Sequence, residues 1–188
     1  GGGDRGDPPN DGDGSGSCWL TDNTDGNSDV DDGATILTSP VLDASGDNAV
    51  LGYSRWYSNN FGADPGNDVF LVEISDDGGA SWTTLETVGP TGEGTTGGWY
   101  DVSFLVADIP GVTPGNQFRL RFTAEDAGAG SVIEAGVDAI IISGIECDVE
   151  PDCPEDVAGN DGVVNVNDLL AIIANWSQND PDYDIDGS

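Results

Sequence analysis

Short runs of alternating apolar and polar residues recur from about residue 18 to residue 147, separated by Gly, Asp, Asn and Pro. Such runs predict β-strands, because the side chains of a strand point alternately to its two faces. The eight predicted strands cover residues 18–21, 34–42, 49–58, 68–75, 81–88, 98–106, 117–125 and 135–145. Since no long stretch among them has a helical period, the pattern predicts a mostly β, antiparallel sandwich.

The alternation also predicts which side chains face the core. Those expected inside are Phe70, Val72, Ile74, Phe118, Leu120 and Phe122. Arg119 and Arg121 then share the opposite face of their strand. That face is where a ligand or a partner would be recognised, but the many acidic residues of the chain favour simple pairing of these two arginines.

The run "SDDGGASW" at residues 75–82 fits the pattern S-x-D-x-G-x-x-W. It resembles the Asp-box hairpin, in which Asp and Gly shape a tight turn and the Trp packs beneath it. The resemblance implies a structural role, so it supports the β fold and assigns no chemistry.

After residue 147 the pattern changes. Residues 148–155 form a short Pro/Asp linker, and residues 156–188 predict an EF-hand-like loop–helix module. The helix follows from "DLLAIIANW", whose apolar residues Leu169, Ile172, Ile173 and Trp176 lie on one helical stripe. Alternating carboxylate and amide positions before it match a calcium loop that ends at Asp168.

The predicted metal ligands fall in three groups. Those of the first loop are Asp156, Asn160, Asp161, Val163, Asn165 and Asp168, with Val163 at the position that binds through its backbone carbonyl. A second loop, D-x-D-x-D-G-x, starts with Asp182, Asp184 and Asp186. In the sandwich, the candidate ligands are Asp31 and Asp138.

Residues 1–17 contain Gly, Asp, Pro and Ser with almost nothing apolar. Taken alone, this composition is typical of a disordered tail. We expect metal ions, the adjacent domain or a neighbouring chain to hold such a segment if it is ordered. It also contains Arg5-Gly6-Asp7, the cell-adhesion tripeptide, which is frequent by chance in this composition.

Charge narrows the classes of function. Acidic residues outnumber basic ones 36 to 4, for a formal net charge of −32. Nucleic acid and anionic membranes are therefore unsuitable partners, because both need basic patches. Two explanations of the acidity stay open: a secreted protein adapted to salty water, and calcium binding. The clustering of acids in Gly/Asn/Asp turns favours calcium.

The chain has no His, which removes the common catalytic triads and the usual zinc sites. Paired carboxylates suffice for glycosidase chemistry, but any pair is easily found among so many acids. The sequence thus predicts no enzyme, and oxygen ligands suit a hard cation such as calcium. No run approaches a membrane span. The three cysteines allow a Cys147–Cys153 or a Cys18–Cys147 disulfide, and sequence does not choose.

The stretch "CPEDVAGNDGVVNVNDLLAIIANW" resembles dockerin type I repeats, and is similar to dockerin-like tails of secreted proteins of planctomycetes and other environmental bacteria. The resemblance covers about residues 153–188. It implies paired calcium loops and helices that dock onto a cohesin. This chain departs from it by one inserted residue in the first loop and by a second loop that ends at its seventh position.

Residues 18–147 resemble the jelly-roll modules related to MAM domains and those attached to secreted peptidases such as immune inhibitor A. The residues that carry this are "DGNSDVDDGATILTSPVLDAS", "GYSRWYS", "VFLVEISDDGGASWTTLETV", "QFRLRFTAED" and "EAGVDAIII". The resemblance implies a non-catalytic domain with a structural calcium between an early acidic loop and the last strand. It assigns that ion to Asp31 and Asp138, and it implies a further strand before residue 1.

Together these observations predict a secreted, extracellular, non-enzymatic calcium-binding protein with a structural or adhesive function. Its partners would be copies of itself or another extracellular protein, and its most specific form would be a calcium-stabilised filament subunit. The alternative is a carbohydrate-binding accessory module of a secreted hydrolase. In that case Trp56, Tyr57, Trp99 and Tyr100 would supply the faces on which sugars stack.

Overall fold

The fold was obtained as a computed structural model, which describes residues 6–22, 29–31, 33–46, 48–144, 158 and 166–174. The chain divides into two compact units, Gly1–Ile145 and Glu146–Ser188. Among the described residues, eight strands lie in the first unit and one α-helix in the second. The strands are β1 Trp19–Leu20, β2 Gly33–Thr38, β3 Ala49–Gly62, β4 Phe70–Ser75, β5 Thr83–Val88, β6 Tyr100–Leu105, β7 Arg119–Asp126 and β8 Ser131–Gly144, and the helix is α1 Val166–Ala174.

The strands form two antiparallel four-stranded sheets. Sheet A has the order β1-β8-β3-β6, and sheet B has the order β2-β7-β4-β5. Pairing across both sheets is antiparallel throughout. This strand order is that of an eight-stranded jelly roll, so the predicted fold class is confirmed.

The core lies between the inner faces of the two sheets. All six side chains predicted to point inward are at most 2% exposed, which confirms the alternation. Aromatic rings join the layers: Tyr57 stacks on Phe70, and Phe122 contacts both Phe70 and Tyr53. The core is therefore built from the period-2 pattern that the sequence shows.

The two arginines on the outer face of β7 have partners within the sandwich. Arg121 forms an ion pair of 2.6 Å with Glu73 and lies over the ring of Trp82, 4.3 Å from its centroid. Arg119 donates a hydrogen bond to the carbonyl of Ser39. Arg121 thus pairs with an acid, as the sequence favours, whereas Arg119 is bound by a backbone carbonyl.

The predicted Asp-box turn forms between β4 and β5. The Asp77 carboxylate accepts hydrogen bonds from the backbone N–H groups of Ala80 and Ser81 and from the Ser81 hydroxyl. These bonds hold the pKa of Asp77 well below its usual range, with the Ser81 bonds as the main cause. A Cβ on Gly79, where φ is +101°, would meet the Trp82 ring at 3.4 Å, so the Trp lies against the turn.

A polar cluster joins the two sheets at the β3–β5 side. Glu86 of β5 accepts hydrogen bonds from the Tyr53 hydroxyl at 2.7 Å and from the Arg55 Nε at 2.8 Å, both on β3. The Arg55 and Glu86 side chains are 11% and 18% exposed, and the Arg55 guanidinium also lies over the Tyr100 ring. Because the ions are largely withdrawn from water, each depends on the other for compensation.

We expect Glu86→Ala to lower the free energy of unfolding by about 3 kcal/mol, because it leaves the Arg55 charge and the Tyr53 hydroxyl without their acceptor. Urea denaturation measures the change. The control is Glu93→Ala on an exposed turn, which should change stability by less than about 0.5 kcal/mol. Equal effects of the two substitutions would contradict a structural role for the buried pair.

The candidate cation centre on the outer face of sheet A

The outer face of sheet A is covered by the segment of residues 6–17, called here the covering segment. The indole N–H of Trp56 donates to the carbonyl of Gly6, and that of Trp99 donates to the carbonyl of Asn10, each at 2.8 Å. The two indole rings also contact each other edge to face, with centroids 5.9 Å apart. The adjacent domain therefore holds this Gly/Asp/Pro-rich segment, which is one of the expected ways of ordering it.

Glycines allow the close approach of segment and sheet. A Cβ on Gly12 would lie 3.1 Å from the Trp99 ring and 3.3 Å from the Ser54 Cβ. On β8, a Cβ on Gly136 would lie 3.1 Å from Trp99 and 3.0 Å from Leu20. Gly136 thus lets the side chains of Trp56 and Trp99 pack closely on β8, between the buried acids Glu134 and Asp138 of the same strand.

Asp138 is the acid on β8 that lies beneath the middle of the covering segment. It is 3% exposed, and its Oδ2 accepts the backbone N–H groups of Gly12 at 2.8 Å and Asp13 at 3.3 Å. Its Oδ1 accepts the N–H of Ala139, at 2.9 Å. Ala139 has φ +50°, at a register shift between β3 and β8. This bulge directs the Asp138 carboxylate at the covering segment.

Two further carboxylates meet Asp138 at this point. Oxygen atoms of Asp11, Asp13 and Asp138 all lie within 4.8 Å of one another, and we call these three residues the Asp138 cluster. Asp11 also accepts the N–H of Gly16, and Asp13 accepts that of Ser15. The Ser15 hydrogen bonds lower the pKa of the Asp13 carboxyl, which keeps it ionised.

Three ionised carboxylates at this spacing repel one another, most strongly where burial lowers the local dielectric. The chain contains four cationic side chains, all Arg. The three that the structure describes are bound elsewhere, by Glu86, by Ser39 and by Glu73. An all-oxygen set of this kind suits a hard metal cation, which would neutralise the cluster.

Of the two residues predicted to share an ion in the sandwich, Asp138 lies in this cluster and Asp31 does not. Asp31 is exposed and follows Val30, which pairs with Ile133 on β8. Ile133 and Asp138 are five strand residues apart, about 16 Å at 3.3 Å per residue. The partners that the sequence missed, Asp11 and Asp13, belong to a segment whose composition indicates a disordered tail.

The second unit contributes one predicted ligand to the described residues. Asp168 lies in the first turn of α1, is 1% exposed, and its Oδ1 accepts the backbone N–H of Ala158 at 2.9 Å. This bond joins the two ends of the predicted first loop. The other predicted ligands lie outside the described residues: Asp156, Asn160, Asp161, Val163, Asn165, Asp182, Asp184 and Asp186.

The aromatic residues proposed to stack sugars do not form an open platform. Tyr57 is completely buried in the core, and Tyr100 lies beneath the Arg55 guanidinium. Trp56 and Trp99 use their N–H groups to hold the covering segment. Asp7 is 3% exposed, so the Arg5-Gly6-Asp7 tripeptide does not present its carboxylate to a receptor.

Cys18 is half-buried and is a free thiol in the part of the chain that the structure describes. Burial, together with the negative charges of Asp138, Asp11 and Asp13, raises the pKa of its thiol. Cys147 and Cys153 lie outside the described residues. Among the described helices, none is long and apolar enough to cross a membrane.

No protein-family model and no curated protein sequence matches the chain. Among solved structures, it is similar to CBM28, a carbohydrate-binding module specific for non-crystalline cellulose, with 15% identity and a TM-score of 0.39. That match covers 59% of this chain and 65% of the other, slightly less than two thirds of its length.

Two other structures show comparable similarity. The K3 cleaved adhesin domain of Lys-gingipain from Porphyromonas gingivalis has 13% identity and a TM-score of 0.41, with 69% of this chain and 76% of the other covered. A CBM4 structure has 13% identity and a TM-score of 0.35, with 59% and 72% covered.

We expect Asp138→Ala to free the covering segment, because the backbone N–H groups of Gly12 and Asp13 lose a charged acceptor. A hydrogen bond to a charged group contributes about 1.5–3 kcal/mol, so amide exchange at Gly12 and Asp13 should accelerate at least ~10-fold. Hydrogen–deuterium exchange of the segment measures this. Asp43→Ala, whose carboxylate accepts hydrogen bonds from the nearby Ser45, is the control, and unchanged exchange in Asp138→Ala would refute the arrangement.

Proposed function

We propose that the chain is a non-enzymatic, extracellular, calcium-binding module with a structural or adhesive function. The observation that carries the proposal is the Asp138 cluster beneath the covering segment. Three carboxylates within 4.8 Å, in a chain of net charge −32, offer the oxygen ligands that a cation takes. Calcium suits them best, because it accepts six to eight oxygen ligands in a flexible geometry, whereas magnesium demands a near-ideal octahedron.

The ion would hold the covering segment against the sheet, because this segment has no apolar side chains that could do so by packing. Residues 6–17 are almost entirely Gly, Asp, Pro and Ser, so burial of apolar surface contributes little to their order. Two indole hydrogen bonds and the Asp138 carboxylate hold them. A bound calcium would add direct links from β8 to Asp11 and Asp13, and would thereby couple the surface of the sandwich to calcium concentration.

A role in assembly is supported by the apolar stripe of α1. The side chains of Val166, Leu169, Leu170 and Ile173 follow helical i, i+3, i+4, i+7 spacing and are 55–65% exposed. A stripe of this kind suits a protein partner, either another copy of the chain or another extracellular protein. The filament is the most specific form of this proposal.

The side chains support the non-catalytic part of the proposal. The chain has no His, and the described carboxylates of the Asp138 cluster accept backbone N–H groups that order the covering segment. Their geometry serves to bind a cation and position a loop. The alternative function, carbohydrate binding, needs an open aromatic platform, and the four aromatic residues predicted to form it do not do so.

We expect calcium to raise the melting temperature and EDTA to reverse the rise. At a calcium concentration 100 times its dissociation constant the stabilisation is about 2.7 kcal/mol, which corresponds to a shift of ~5–10 °C for a chain of this size. Calorimetry measures the shift, and sedimentation and electron microscopy of the same samples test assembly. Asp138→Asn should reduce the shift, and Asp43→Asn should not.

The proposal would be abandoned if the protein melted at the same temperature and stayed monomeric in both calcium and EDTA. Binding of the calcium-loaded monomer to a glycan array, abolished by Trp99→Ala, would favour the carbohydrate-binding function instead.

A further inference from the structure

The sheet edge formed by β2 lacks the features that protect the other sheet edges. Sheet A ends at β1 and β6, and sheet B ends at β2 and β5. β1 has two residues, β6 carries the exposed Asp101, and β5 carries the inward-facing Glu86 and pairs with β4 in an irregular register. Short length, charge and irregular pairing each hinder the addition of a further strand. Among the edges that the described strands form, β2 has none of these three features.

β2 presents an open, uncharged edge. It has six residues, Gly33–Thr38, and pairs with β7 in a register without shifts. Among the described residues β7 is its only strand partner, so the backbone N–H and C=O groups on its other side face outward from the sheet. No charged residue occurs from residue 33 to residue 42, and the Ile36 side chain is 58% exposed. Such an edge is a template for pairing with another strand.

An apolar cleft of about 230 Å³ opens beside β2, between the edges of the two sheets. The Phe70 and Phe122 rings of the core line it, and so does Trp19 of β1, whose side chain is 55% exposed. The cleft has no charged residue in its lining, and its polar side chains are those of Thr21 and Thr35. A strand added to β2 would cover this cleft and Trp19, so it would bury apolar surface as well as pair backbone groups.

The charge of the chain indicates which partner suits this edge. Two copies of net charge −32 repel each other, and their contact is least opposed where both surfaces are uncharged. A basic partner would bind the acidic surface elsewhere, and it would gain no charge attraction at β2 or in the cleft. An identical uncharged strand is therefore the occupant that this edge fits best.

The pattern of β2 is complementary to itself. Thr35 and Leu37 pair with Ala124 and Phe122, which are buried, so they lie on the inner face of the sheet and Ile36 lies on the outer face. An antiparallel pair of β2 strands, related by a two-fold axis at Ile36, places Ile36 opposite Ile36 and Leu37 opposite Thr35. Inner residues thus face inner residues, as the pleat of the sheet requires.

We propose that two copies of the chain associate through their β2 strands, which join the two B sheets into one continuous eight-stranded sheet. In this register Asp31 faces Val41 and Asp32 faces Pro40, so no acid opposes an acid next to the strand pair. The proposal rests on the assembly role proposed above and deepens it, because it names a surface of the sandwich that pairs two copies. It needs neither calcium nor α1.

Sedimentation equilibrium of the full chain in EDTA tests the pairing. At an ionic strength of about 0.15 M, where the Debye length is about 8 Å, we expect a monomer–dimer equilibrium. Ile36→Glu should raise the dissociation constant of the dimer at least ~10-fold, because it replaces an apolar contact with two like charges directly opposite each other. Ile141→Glu, which changes an Ile of 56% exposure on β8, is the matched control and should leave the constant unchanged.

A charge-pair rescue separates loss of strand pairing from loss of folding. Ile36→Lys should weaken the dimer as Ile36→Glu does, since it also places like charges opposite each other. An equal mixture of the two variants should restore dimers, because Glu then faces Lys across the two-fold axis. Hydrogen–deuterium exchange of the unmodified chain should show that the amides of β2 become protected as the protein concentration rises, while those of β5 do not.

The proposal is wrong if the unmodified chain stays monomeric as its concentration rises, or if Ile36→Glu dimerises as tightly as the unmodified chain. The second result would place the contact on another surface, such as the apolar stripe of α1. Calcium should raise the melting temperature of Ile36→Glu as much as that of the unmodified chain. Absence of this calcium effect in both chains would instead contradict the proposed calcium binding and leave the strand pairing standing.

Discussion

The structure of the first unit depends on one electrostatic constraint: β8 carries two acids on its outer face, and both are buried beneath a segment that is itself acidic. Glu134 and Asp138 are 1% and 3% exposed. Neither has a described arginine as its partner, since Arg55, Arg119 and Arg121 are bound by Glu86, Ser39 and Glu73. Backbone N–H groups and the Thr21 hydroxyl are the donors that these two carboxylates bind among the described residues.

The rest of the outer face is organised around this constraint. Gly136, between the two acids, leaves room for the indoles of Trp56 and Trp99. The indole N–H groups bind the carbonyls of Gly6 and Asn10, which places the aspartates of the covering segment above the acids of β8. The aromatic residues thus serve to hold a loop over a charged surface, and sugar stacking is not needed to explain their positions.

The sandwich itself was predictable, because burial on one face imposes a period of two on the sequence. Phe70, Val72 and Ile74 show that period and are all buried. The predicted last strand, however, started at residue 135, whereas β8 starts at Ser131. Glu134 lies outside the predicted strand, and its burial is evident only in the structure, where the Thr21 hydroxyl and Gly6 lie against its side chain.

The candidate site was only partly predictable for a related reason. Asp138 was predicted as a metal ligand through a family resemblance in its strand. The two carboxylates that lie beside it belong to Asp11 and Asp13, more than a hundred residues away in the sequence. Composition alone predicts that residues 6–17 form a disordered tail, because the segment has no apolar pattern that would indicate packing against a sheet. The order of this segment comes from hydrogen bonds to specific indoles and carboxylates, and such bonds leave no periodic signal in a sequence.

The most direct test of a cation-fixed covering segment is anomalous diffraction from crystals grown in calcium. We expect an anomalous peak about 2.3–2.6 Å from the carboxylate oxygens of Asp11, Asp13 and Asp138, with residues 6–17 ordered over sheet A. A structure in which the segment lies in this place, the three carboxylates are unchanged and no peak lies among them would contradict the claim.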